Sequence, residues 1–192
     1  MDKYSLAIDE LNYMIPMIIL DALESMDDPE AQTQAVIDNV LSLLIRAYRE
    51  GAQTVAIMLG IEYEVNSDKM AEVIYLLIED MTFEDRIRTH MAAENYGALE
   101  NLILSEYHRV FNNAGYDVAG DYVTHGGMAY KTWITVGDEK VRDTHDYLEG
   151  MTVAYDEEFF TYDGDSARFP GDFSDAANNA GCRCTIKYVI EP

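Results

Sequence analysis

Apolar residues recur every three or four positions through the first half of the chain, which is the spacing of one helix face. Leu11, Met14, Ile15, Ile18, Ile19, Ala22 and Leu23 outline a first helix, with Pro16 predicting a kink or a fresh start inside it. Asp28-Pro29 is a helix-start signal, a capping residue followed by proline at the first helical position. The stripe that follows is Val36, Val40, Leu43, Leu44, Ala47 and Tyr48. It resumes at Val55 and Leu59 beyond Gly51, which marks a bend or a close contact, and Gly60 ends it. Ser67-Asp68 caps a third helix with Met70, Val73, Ile74, Leu77 and Ile78 on its apolar face. Thr82 with Asp85 fits a capping box. From there Phe83, Ile87, Met91, Leu99, Leu102, Ile103, Val110 and Phe111 predict one long helix, closed by Asn112-Asn113-Ala114-Gly115.

The second half is written differently. Glycine becomes frequent, and short β-prone runs replace the helical stripes. Residues 129–136 read as a strand centred on Trp133. Gly137-Asp138 is a turn from which Asp138 caps a short helix through Leu148, ended by Gly150. Residues 152–155 and 158–162 read as strands before the Asp163-Gly164 turn, and 185–190 as a final strand. The fold class expected is α+β: an N-terminal helical region over 1–105, then a small α+β domain over 106–192 with a short antiparallel sheet. The helix starting near residue 82 leads from one into the other.

Charge narrows the function. The chain has 192 residues, 36 acidic and 13 basic, for a net charge of −23. Both parts are acidic, −14 up to Ser105 and −9 beyond it, so this is not the effect of a tail. Phosphate binding needs clustered Lys and Arg, so direct nucleic-acid binding is not expected, nor is attraction to anionic membranes. The eight-residue apolar run at 13–20, interrupted by Pro16, is far too short to span a bilayer. The opening residues lack a signal peptide's basic-then-apolar layout. Secretion and membrane insertion are therefore not expected.

No phosphate loop, dinucleotide fingerprint, nucleophile elbow or HExxH motif occurs. Asp163-Gly164-Asp165 hints at calcium, but a turn accounts for it better. Two readings stay open for Cys182-Arg183-Cys184 and His145. Thiolates and imidazole suit zinc, with Asp138, His125 or Asp146 as a fourth ligand. Alternatively, extending the last strand backwards puts Cys182, Cys184, Ile186, Tyr188 and Ile190 on one face, and both thiols pack in a core. The core reading carries more weight, and no cofactor is expected. A disulfide across one residue would be strained. His145 shares a helix face with Val141 and Leu148, which fits a core imidazole, while His90, His108 and His125 form no pattern.

The string Lys131-Thr132-Trp133-Ile134-Thr135, then Asp138, Val141-Arg142, His145, Leu148 and Gly150, resembles the core of the phage Mu F-like minor head protein domain. Glu158-Phe159, Pro170-Gly171-Asp172 and the Cys182-Arg183-Cys184 ending continue the resemblance, and Arg88-Thr89-His90 through Asn95 resembles the helix before it. Gly181 replaces the asparagine that usually precedes the first cysteine. Trp133, Asp138, Arg142, His145, Gly150, Phe159, Pro170, Cys182 and Cys184 are the positions that match. The resemblance, over about residues 83–190, implies a structural, non-enzymatic minor component of a tailed-phage head. Its expected partners are portal or capsid subunits; its oligomeric state is left open, with portal symmetry as one option. Its expected place is the virion, in the head interior or at the portal vertex, after assembly in the host cytoplasm. Head assembly, or the packaging and ejection of DNA, would be its role. The alternatives are a metal-dependent enzyme centred on His145, Cys182 and Cys184, and an acidic inhibitor that mimics nucleic acid.

Overall fold

A computed structural model describes residues 3–190. Five helices come first: α1 (Lys3–Ser25), α2 (Pro29–Leu59), α3 (Ser67–Ile74), α4 (Phe83–Ala92) and α5 (Tyr96–Thr124). A short sheet and two single-turn helices follow: β1 (Tyr130–Ile134), α6 (Asp143–Asp146), β2 (Thr152–Ala154), β3 (Phe159–Phe160), β4 (Ser166–Ala167), α7 (Ala176–Asn179) and β5 (Thr185–Val189). This is the expected α+β order.

Local chemistry sets most helix ends. Asp28 accepts a hydrogen bond from the Ala31 amide, Pro29 occupies the first turn, and Gly60 closes α2 in the left-handed conformation. Thr82 and Asp85 form a reciprocal capping box at the start of α4. α1 runs through Pro16 as one helix. α3 is shorter than its apolar stripe predicts. It ends at Ile74, Leu77 is exposed, and Ile78 forms a bridge to Met81. The long helix expected from residue 83 is two helices. Glu94 takes a left-handed φ of 51°, and Asn95 caps α5 by accepting from the Ala98 amide. α5 then continues past 112–115, where the sequence predicts an end. Asn112 is buried, and its amide donates to the carbonyls of Pro170 and Cys184. Gly115 lies where a Cβ would come within 2.7 Å of Val55. These residues serve packing rather than termination. The expected division at residue 105 falls inside α5.

α2 and α5 pack along their lengths. The phenols of Tyr48 and Tyr107 cross the seam to donate to Asp117 and Glu50, at 2.9 and 2.6 Å. The sheet order is β2-β1-β5, antiparallel throughout, with Trp133 opposite Ile186. Trp133 and Lys131 point to its buried face, and β5 rests on α2 and α5. The expected strand at 158–162 is only β3, paired with β4 around the Asp163-Gly164 turn. There Asp165 is a hydrogen-bond hub. Its carboxylate accepts from Ser174, Asn178 and the Ser166 amide, as the turn reading expects. No helix among the described residues is long and apolar enough to cross a membrane.

One buried group makes stability depend on pH. His108 lies on α5 with its imidazole enclosed, and burial, reinforced by Arg183, pushes its pKa down to about 4. An unfolded histidine titrates near ~6.5, so the unfolded chain binds the extra proton first as pH falls. The stability held by neutral His108 is full above ~6.5 and is lost as pH drops through 4, by up to ~3 kcal/mol. Urea unfolding between pH 7.5 and roughly 4 checks this, with His108→Leu expected to flatten the dependence. Parallel curves for the two proteins would refute it.

Candidate functional site: a thiol–imidazole cluster beneath the sheet

His145, Cys182 and Cys184 are all buried, and their ligand atoms lie within 4.8 Å of one another. The Nδ1 atom of His145 faces both sulfurs, 3.6 Å from Cys182 Sγ and 3.5 Å from Cys184 Sγ. Each side chain is aimed there by identifiable local structure. Cys182 and Cys184 are two apart on an extended run leading into β5, so they face the same way. Arg183 between them points the other way, and its guanidinium grips Asp138 through two hydrogen bonds of 2.7 Å. That fork holds the cysteine run against the turn after β1, and it keeps the Asp138 carboxyl below the usual range.

Asp138 is therefore not the cap of the following helix. α6 covers only Asp143–Asp146 and starts after Arg142, instead of running from Asp138 to Leu148. Arg142 sends its guanidinium to the carbonyls of Ala177 and Ala180, fixing the segment before Cys182. Gly150 has a φ of 73°, a conformation that favours glycine, and its amide donates to the Trp133 carbonyl at 2.9 Å. Gly181 sits at φ 65°. Glycine adopts that left-handed region without strain, and asparagine tolerates it better than most residues.

An apolar shell surrounds the cluster. The His145 ring stacks on Phe173 with centroids 5.0 Å apart and meets Trp133 edge-on at 5.4 Å, while Phe159 also packs edge-on against Trp133 at 5.2 Å. Pro170 is buried nearby and accepts from Asn112. Trp133 thus packs on His145 and Phe159 on Trp133, Asp138 and Arg142 tether the cysteine run, and Gly150 and Pro170 hold the neighbouring backbone. The face expected for the last strand is observed from Cys182 to Tyr188, and Ile190 lies outside it, half exposed. None of the proposed fourth ligands joins the group. Asp138 is held by Arg183, Asp146 is exposed, and exposed His125 bonds the Asp121 carbonyl. The hydrogen bond from Cys184, aided by His145, holds Cys182 well below the usual thiol range despite burial. The same contact, with burial, holds Cys184 far above it.

Two features had no clear signal in the sequence. Lys131 is fully buried, donates to the Arg168 carbonyl at 2.9 Å and lies over the rings of Tyr116 and Phe159. Burial, with Arg168 nearby, pushes its pKa down to about 8. The second is a groove of about 1400 Å³ between the helices and the sheet. α5 forms its floor through Tyr107, Phe111, Asn112 and Gly115, and α2 and the β1–β5 side form its walls. Arg46, Arg49, Lys140, Arg183 and Lys187 line it, against Glu50 and Asp138. Five of the chain's thirteen basic residues thus gather on one surface of a molecule carrying −23.

The chain is thus a helical layer leaning on a three-stranded sheet, with the histidine and cysteine pair buried beside it. A family profile described as phage Mu protein F like protein matches residues 38–187, most of the chain, and the chain belongs to that family. Membership suggests a structural protein of phage head morphogenesis. The chain is also similar to the NAD(+)–arginine ADP-ribosyltransferase EFV of Enterococcus faecalis (strain ATCC 700802 / V583), 41% identical over 61 residues. That stretch is 32% of this chain and 12% of the relative, and it does not establish an enzymatic activity. No solved structure matches.

Proposed function

We propose that the protein is a minor component of a tailed-phage head that associates with the portal or the adjoining capsid subunits, and acts in head assembly or in the packaging and ejection of DNA. It rests on the family, and the observation that carries docking to a partner is the basic groove. Arg46 is occupied by Glu10 and Glu50, and Arg183 by Asp138. Arg49 and Lys187 are exposed and have no ion pair among the described residues. An acidic segment of a portal or capsid subunit, laid between α2 and β5, would complement both charges and bury Phe111 and Met58 on the same surface.

The paired reversal Arg49→Glu, Lys187→Glu tests this. Both side chains are exposed, so folding should be unaffected. Recovery of the protein with portal from assembled heads is expected to fall roughly tenfold. Undiminished recovery would remove the groove from the docking surface, and absence of the unaltered protein from purified heads would overturn the reading as a whole.

A further inference from the structure

We propose that His145 Nδ1, Cys182 Sγ and Cys184 Sγ bind one zinc ion, with a water or another small ligand in the fourth tetrahedral position. Ligand spacing is the first argument. Zinc bonds to sulfur and imidazole nitrogen of about 2.3 and 2.05 Å, at a tetrahedral angle, put the nitrogen roughly 3.6 Å from each sulfur. The two observed separations are 3.6 and 3.5 Å. Both are made by the same nitrogen. A neutral imidazole nitrogen offers one lone pair or one N–H, so hydrogen bonding serves two sulfurs poorly, whereas one ion at the centre satisfies all three atoms.

The second argument is charge. Two thiolates neutralise a divalent cation, so the loaded site carries no net charge into its apolar shell. Binding releases the thiol protons to solvent, and the imidazole coordinates as the neutral base. The donor set, two soft sulfurs and an imidazole, suits zinc over calcium or magnesium. The fourth position follows from a crevice of about 10 Å³ that reaches the three donors between Lys140, Arg142 and Gly181. That is the volume of about one water-sized sphere. No fourth side chain enters the cluster among the described residues, so the site has the open form rather than the closed four-ligand form.

The tethers fit a site built for a fixed bite. Asp138 clamps Arg183 from outside while the two flanking thiols face in, and Arg142 anchors the preceding turn through two backbone carbonyls. Outer partners of this kind hold ligands at the required spacing.

The test uses the full-length protein, purified without chelators and then dialysed against micromolar zinc. Elemental mass spectrometry is expected to find about one zinc per chain. Cobalt in its place is expected to give the intense visible bands of a tetrahedral ion and a sulfur-to-metal charge-transfer band. Cys182→Ser and Cys184→Ser should each lower zinc retention at least tenfold against a competing chelator, with the helical circular dichroism of α1–α5 retained. The cobalt spectrum of the unaltered protein decides the matter should a variant fail to fold. Zinc content near zero, a cobalt spectrum without the sulfur band, or zinc that persists in both serine variants would each overturn the proposal and leave a dry core.

Discussion

Glu106→Ala is expected to destabilise the protein by ~3–5 kcal/mol, the cost of leaving buried cations without their counter-ion. Glu106 sits on α5 beneath the surface, and its carboxylate accepts from Arg86 of α4 at 3.0 Å and from Arg109 at 2.8 and 3.1 Å. Burial alone would raise its pKa, but Arg109 and then Arg86 outweigh that and hold the carboxyl below its usual range. Each guanidinium already has one buried nitrogen without a hydrogen-bond partner, and losing Glu106 would leave Arg86 only its long 3.4 Å bond to the Thr82 carbonyl among the bonds described. The melting temperature should drop by on the order of 10 °C for a domain of this size. Glu106→Gln, which keeps the shape and one acceptor, should lose less. Urea unfolding of the three proteins at pH 7 measures the order, and an alanine variant within about 1 kcal/mol of the original would contradict the account.

Gly51→Ala is the second large effect. Alanine is ordinarily the better helix former by about 1 kcal/mol, so at an exposed site the change would stabilise. Here α2 crosses α5 so closely that a Cβ would overlap the carbonyl oxygen of Phe111 and lie 2.9 Å from its carbon. Backbone cannot rotate aside as a side chain does, so the two helices must separate. A loss of about 3 kcal/mol is expected, at the upper end for overpacked cores. Gly97 faces open space, and Gly97→Ala on α5 should be neutral or stabilising. A thermal melt of both variants tests the contrast, since equal effects would mean that propensity and not the crossing decides.

What could be read from residues alone follows from how local each cause is. The start of α2, its glycine end and the α4 capping box depend on a few neighbouring side chains, and all three are where the pattern places them. The cysteine face follows from the two-residue period of a strand. The break at Glu94 was hidden, because helix-forming residues surround it and only Asn95 marks the new start. Asn112 and Gly115 carried the opposite error. They have the composition of a helix end, but Asn112 is spent on the carbonyls of Pro170 and Cys184 and Gly115 on Val55. Those partners are distant in the chain, so no local rule reveals them. Asp138 misled for the same reason, since a turn aspartate looks like a cap until Arg183 is seen beside it. The grouping of His145 with the two cysteines was legible as a set of residue types. The 3.5–3.6 Å spacing, the absence of a fourth side chain among the described residues and the groove were not.

α5 is 29 residues long, about 44 Å at 1.5 Å per residue. It is at once the partner of α2, the support of β5 and the floor of the groove. Because one continuous rod carries both walls, neither can swing relative to the other without the rod bending or the Gly51 crossing coming apart. The groove is therefore a finished mould before anything enters it. On the docking proposed above, the ordering cost would fall on the incoming segment and hardly at all on this chain, because its side of the contact is already shaped.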